Sequence, residues 1–128
     1  MNTIRRRDPA AIEASAEHRR REDAAPRLRE EIRRLDSLRL RFDDIRGESR
    51  MLAASYVRPV VVASAPALFE IRCMEPRCNG RHDLTEAVLS GLRQAQSSFS
   101  GTSNCDGMVG DIPCDRTLGY TCEASYRT

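Results

Sequence analysis

Four of the five cysteines in this 128-residue chain fall in two loops, Cys73-Met-Glu-Pro-Arg-Cys78-Asn-Gly80 and Cys105-Asp-Gly-Met-Val-Gly-Asp-Ile-Pro-Cys114. Each loop brings two cysteines together through Gly and Pro turn residues. A tetrahedral structural Zn²⁺ needs four deprotonated soft ligands, and two loops with two thiolates each are the usual way to supply them. Cys73, Cys78, Cys105 and Cys114 are therefore read as one structural zinc site. The spacing is wider than that of ordinary zinc knuckles, so the likeness to a zinc ribbon is one of arrangement.

An odd cysteine count favours metal over disulfides, provided the compartment keeps thiols reduced. The start of the chain has Arg5, Arg6 and Arg7 but no apolar stretch behind them, which does not read as a secretory signal and points to the cytoplasm. A secreted two-disulfide domain and a set of reduced structural thiols are the alternatives. Aromatic residues make up 5% of the chain and Trp is absent, so a large core is not expected. Zinc would then carry much of the folding energy, about 10–16 kcal/mol in finger peptides, and its removal is expected to unfold residues 56–128.

Two further side chains bear on the ligand set. His82 lies close enough behind Cys78 to replace a cysteine in a Cys3His site, or to hydrogen-bond a ligand sulfur from outside. Cys122 falls on the apolar face of the last strand, where a thiol behaves as a small hydrophobe, and is not taken as a ligand.

All 21 basic residues are Arg. Arg makes planar two-pronged contacts with phosphate, but an Arg-only set also follows from a GC-rich coding sequence. Net charge is only +2, far from that of an obligate nucleic-acid binder. Residues 1–50 hold 14 Arg against 11 Asp or Glu (+3), and residues 51–128 hold 7 against 8 (−1). If nucleic acid is bound, Arg5, Arg6, Arg7, Arg19, Arg20, Arg21, Arg33 and Arg34 are the expected phosphate contacts.

Read in order, the chain divides into three. Residues 1–22 form an Arg-rich segment, partly disordered or a marginal helix starting at Asp8-Pro9, with little apolar surface to bury. Residues 23–55 carry Leu28, Leu35 and Phe42 on one heptad seam and Leu38, Ile45 and Leu52 on the other, which predicts a long coiled-coil-like helix. Such a helix must pack on a second copy, on the rest of the chain or on another protein. Residues 56–128 read as a small zinc-binding α+β domain. Its strands are Tyr56–Ala63, Leu68–Cys73, a short Phe99–Gly101 and an alternating Thr117–Tyr126, and one helix opens with an Asp83/Glu86 capping box.

Four cysteines close a zinc shell and leave no open position for hydrolysis, and no phosphate-cradling glycine loop or nucleophile–base arrangement is present. The chain is therefore expected to be non-enzymatic and to take no small-molecule substrate. No stretch has the roughly 20 apolar residues of a membrane span. A helical segment joined to a four-cysteine finger resembles in outline the DksA/TraR family of transcription factors. The cysteine spacing and the helix within the finger differ from that family, so no residue role is carried over. The expected function is a zinc-stabilised protein-interaction module or small regulatory subunit that self-associates or docks through its N-terminal helix. The alternative is a nucleic-acid-binding zinc-ribbon protein.

Overall fold

In Leu38-Arg39-Leu40-Arg41-Phe42, apolar and charged side chains alternate strictly, and a period of two puts all three apolar residues on one face of a strand. The computed structural model describes residues 9–128, and there this run forms the centre of β1 (Leu35–Arg46). A tight turn follows, with positive φ at Gly47 (75°) and Arg50 (56°), and leads into the antiparallel edge strand β2 (Met51–Val60). On its other side β1 pairs with β8 (Arg116–Tyr126), which in turn pairs with β5 (Ser98–Asn104). The result is a four-stranded antiparallel sheet of order β2-β1-β8-β5.

One face of the sheet is buried. Leu38, Leu40 and Phe42 of β1 meet Leu118, Tyr120 and Cys122 of β8, under a cover of helix α3 (Thr85–Arg93), the short helix α2 (Leu28–Glu31) and the segment around Phe69. Val88, Leu89 and Leu92 supply the apolar stripe of α3. Gly91 is required there, because a Cβ would lie 2.5 Å from the Phe99 ring. The opposite face carries Arg39, Arg41, Glu123 and Ser100 into solvent, so the sheet is one-sided, as antiparallel sheets commonly are.

The architecture is α+β, but the long coiled-coil-like helix is overturned. The heptad positions Leu35, Leu38 and Phe42 are buried as expected, yet they belong to a strand. Leu40, which the heptad left off the seam, is 1% exposed, and Leu52, which it placed on the seam, is 60% exposed. Residue 55 falls inside β2, and β1 pairs along its whole length with β8, so residues 35–60 and 98–126 build one sheet.

The N-terminal helix α1 (Pro9–Ala24) begins at the expected Pro9; Arg5, Arg6, Arg7 and Asp8 lie outside the described residues. Its attachment is polar. Glu70, 7% exposed, accepts hydrogen bonds from Arg21 Nε (2.8 Å) and Nη2 (2.6 Å) and lies 3.1 Å from His18 Nδ1. Glu70 opens β3 (Glu70–Arg72), which pairs with β4 (Arg81–Asp83) to form the hairpin that carries the first cysteine loop. The Asp83/Glu86 capping box is replaced by a simpler arrangement. Asp83 Oδ1 accepts from Thr85 N at 3.1 Å, and the Thr85 hydroxyl accepts from Phe69 N.

Candidate metal centre

Each cysteine loop closes a hairpin. The first spans β3 and β4, and Cys73 N donates to Gly80 O at 3.1 Å, extending that ladder by one rung. The second leaves β5 at Cys105, whose N donates to Arg116 O (2.9 Å), and contains the two-residue strands β6 (Met108–Val109) and β7 (Ile112–Pro113), which turn through Gly110. Cys114 N returns a bond to Gly107 O at 2.9 Å.

These loops contain the same local device twice. In Cys78-Asn79-Gly80 and in Cys105-Asp106-Gly107, the glycine N–H points at the sulfur two residues earlier, at 3.2 Å and 3.4 Å. Such bonds favour the thiolate form of the sulfur. The two Cys-x-Gly turns pack backbone against backbone. A Cβ on Gly80 would sit 2.7 Å from Cys105 Sγ, and one on Gly107 would sit 2.7 Å from Cys78 Sγ and 2.8 Å from Gly80 Cα. Glycine is thus required at both positions by close approach, whatever its conformational freedom.

The four sulfurs of Cys73, Cys78, Cys105 and Cys114 all lie within 4.8 Å of one another. Two contacts join the loops: Cys73 Sγ to Cys114 Sγ is 3.7 Å and Cys78 Sγ to Cys105 Sγ is 3.6 Å. A metal–sulfur bond of about 2.3 Å in a tetrahedron requires sulfurs about 3.8 Å apart, so this donor set fits a single tetrahedral ion. All four cysteines are free thiols; Cys73, Cys78 and Cys105 are buried and Cys114 is partly exposed.

Without a cation the cluster is electrostatically awkward. Burial and neighbouring sulfurs raise the Cys73 thiol far above its usual range, and burial, with a smaller push from Cys78, raises Cys105 to about 11. At Cys78 burial pushes the same way, but the Gly80 N–H and the surrounding thiols outweigh it and lower the value. The thiolate form is thus favoured most at Cys78, and a bound divalent cation would favour ionisation of all four sulfurs.

A buried charge network ties this centre to the sheet. Arg116, two residues after Cys114, donates through Nη1 to Asp44 of β1 and through Nη2 to Glu75 of the first loop at 3.2 Å. Asp44 and Arg116 are both more than 90% buried. Sequence reading missed this pair, although Asp44 offered one signal: it continues the buried alternation Leu38, Leu40, Phe42.

His82 is not among the clustered ligand atoms. It is buried on β4, and its Nδ1 is hydrogen-bonded to Ser103 Oγ at 3.1 Å. Burial lowers its pKa, which favours the neutral ring. Cys122 is fully buried in the apolar core, away from the cluster, and burial raises its thiol to about 12.

Among the described residues, the arginines expected at phosphate do not form one surface. Arg21 is engaged by Glu70, and Arg34 Nε and Nη2 donate to Arg127 O at 3.0 and 2.9 Å. Arg19 lines a cleft beside the Cys-x-Gly turns, whereas Arg33 lines cavities at the Arg127 end of the sheet. Arg20 is exposed beside Glu17. Among the described residues no helix is long and apolar enough to cross a membrane. Comparison of the chain with protein-family models, curated proteins and solved structures returns no match.

Proposed function

We propose that the chain is a non-enzymatic, zinc-stabilised protein-interaction module working in a reducing compartment such as the cytoplasm. The observation that carries this reading is the convergence of four sulfurs from two loops at tetrahedral spacing. Zn²⁺ suits an all-sulfur tetrahedral set, and such a shell has no vacant position for a substrate or activated water. The metal's task would be to hold two loops in one shape.

Those loops display apolar side chains that the fold does not bury: Met74 is 38% exposed, Met108 44% and Ile112 70%. Large apolar side chains held out on rigid loops suit contact with another protein. Nucleic acid is the weaker reading. Of its expected contacts, Arg21 and Arg34 are already engaged within the chain, and the other described ones are scattered.

Metal loss should act locally. The cysteine cluster and the main apolar core are separate groups of buried residues, so chelation is expected to loosen residues 73–80 and 105–114 while the sheet persists. The test is elemental analysis of the purified, reduced protein. One zinc per chain supports the reading. A metal-free protein whose loops are equally ordered, or a stoichiometric metal other than zinc, would refute the zinc assignment.

A further inference from the structure

Between α1 and the two Cys-x-Gly turns lies a cleft of about 680 Å³, within the size range of ligand sites (roughly 300–1,000 Å³). Its walls carry Arg19 from α1, Arg72 and Arg81 from the β3–β4 hairpin, and Asn79 and Asp106 from the turns. Arg19 and Arg72 are exposed, and among the described residues neither has a carboxylate partner. Arg81 reaches Glu70 only at 3.4 Å, and that carboxylate is already held by both prongs of Arg21. Three arginines with donors to spare therefore line one concave surface, beside Glu17, Glu22 and Asp106.

We infer that this cleft receives an acidic peptide segment of the protein partner, its Asp or Glu carboxylates held by Arg19, Arg72 and Arg81. The inference rests on the protein-interaction reading above and names the chemistry of the partner. Guanidinium groups bind carboxylates in a planar two-pronged geometry, and three of them around one cleft fix both position and direction of a chain.

The other polyanion, a nucleic acid, suits the cleft less well. Glu17, Glu22 and Asp106 stand among the arginines, and a phosphodiester strand with a charge at every nucleotide would meet them in repulsion. A peptide can place carboxylates at the arginines and neutral or basic residues at the acids. Single-stranded nucleic acid also binds by stacking on aromatic rings, and among the described residues the cleft walls include no Phe, Tyr or Trp.

The test uses the metal-loaded full chain and three fluorescent probes at about 0.15 M salt: a Glu-rich octapeptide with alternating Gly, its Gln counterpart, and an oligothymidine. The Glu peptide is expected to bind saturably, at least tenfold more tightly than the Gln peptide or the oligonucleotide. Arg19→Ala with Arg72→Ala should weaken it at least tenfold while metal content and thermal midpoint stay unchanged. Arg81 is kept because it also touches Glu70. Absent saturation, equal binding by the double variant, or tighter binding of oligothymidine would each overturn the inference. A cellular partner captured equally by wild type and double variant would leave the interaction reading standing and overturn the cleft assignment.

Discussion

The reciprocal contact between the two Cys-x-Gly turns makes Gly107→Ala a quantitative probe of the metal centre. The added methyl carbon would lie 2.7 Å from Cys78 Sγ and 2.8 Å from Gly80 Cα, where ordinary contact begins at 3.4 Å. One of the two obstacles is backbone, which cannot rotate away, so the turns must separate by more than half an ångström. Overpacking of this kind costs about 1–3 kcal/mol, and rigid neighbours place it near the upper end. Strain at this contact opposes the closing of both turns around an ion, so it should appear in metal affinity. About 2–3 kcal/mol corresponds to about a 30- to 150-fold weaker association.

Competition against a chromophoric chelator measures this directly. Gly80→Ala meets the same pair of turns from the other side, 2.7 Å from Cys105 Sγ, so the double variant should lose less than the sum of the two singles, as coupled neighbours do. Gly119→Ala is the control, because its nearest neighbour would be at 3.6 Å. If Gly107→Ala binds zinc within twofold of wild type, the packed-turn geometry of the metal centre is wrong.

Three other perturbations separate the parts of the molecule. Cys122→Ser should leave one metal per chain and cost about 1–3 kcal/mol in urea unfolding, because a hydroxyl replaces a thiol in the apolar core. Arg116→Met would leave Asp44 buried without its partner and should destabilise the fold by about 3–5 kcal/mol in the same assay. The attachment of α1 should depend on pH through Glu70. Burial alone would raise that carboxyl, but the bonds from Arg21 and His18 and the charge of Arg81 outweigh it and hold it below its ordinary value. A lowered folded-state value means the stabilisation is complete above the unfolded pKa, about 4.3, and is lost as pH falls through the folded one. Protection of the α1 amides, relative to the intrinsic exchange rate at each pH, should fall selectively under acid, and in Glu70→Gln at neutral pH by about tenfold, roughly the weight of one charge-assisted hydrogen bond. Exchange unchanged in that variant would show that α1 is held by other contacts.

The cysteine pattern was legible because ligand chemistry leaves few alternatives: four soft donors in two turn-rich loops converge whether or not the intervening elements are read correctly. The final strand was legible as well, since Leu118, Tyr120 and Cys122 alternate with polar neighbours over a long run. The misreading of residues 35–52 has a definite cause. Leu38 and Phe42 are four apart, a spacing common to a helix face and to every second residue of a strand, and β1 has few of the β-branched residues that mark strands. Leu40 and the buried Asp44 decide for the strand. A charged residue on the apolar face runs against the usual strand pattern, and its partner Arg116 lies 72 residues away in the sequence. Gly47, which lies within the span of the expected helix, opens the β1–β2 turn with a positive φ. The polar docking of α1 on Glu70 had no sequence signal of its own, because the contact joins residues 49 apart.

X-ray absorption at the zinc edge of the purified, reduced protein tests the metal centre most directly. The expected result is a single shell of four sulfur scatterers at about 2.3 Å, unchanged in Cys122→Ser. A nitrogen or oxygen scatterer in that shell would reveal His82 or an open position in place of one cysteine, and would contradict the closed, non-catalytic centre proposed for this chain.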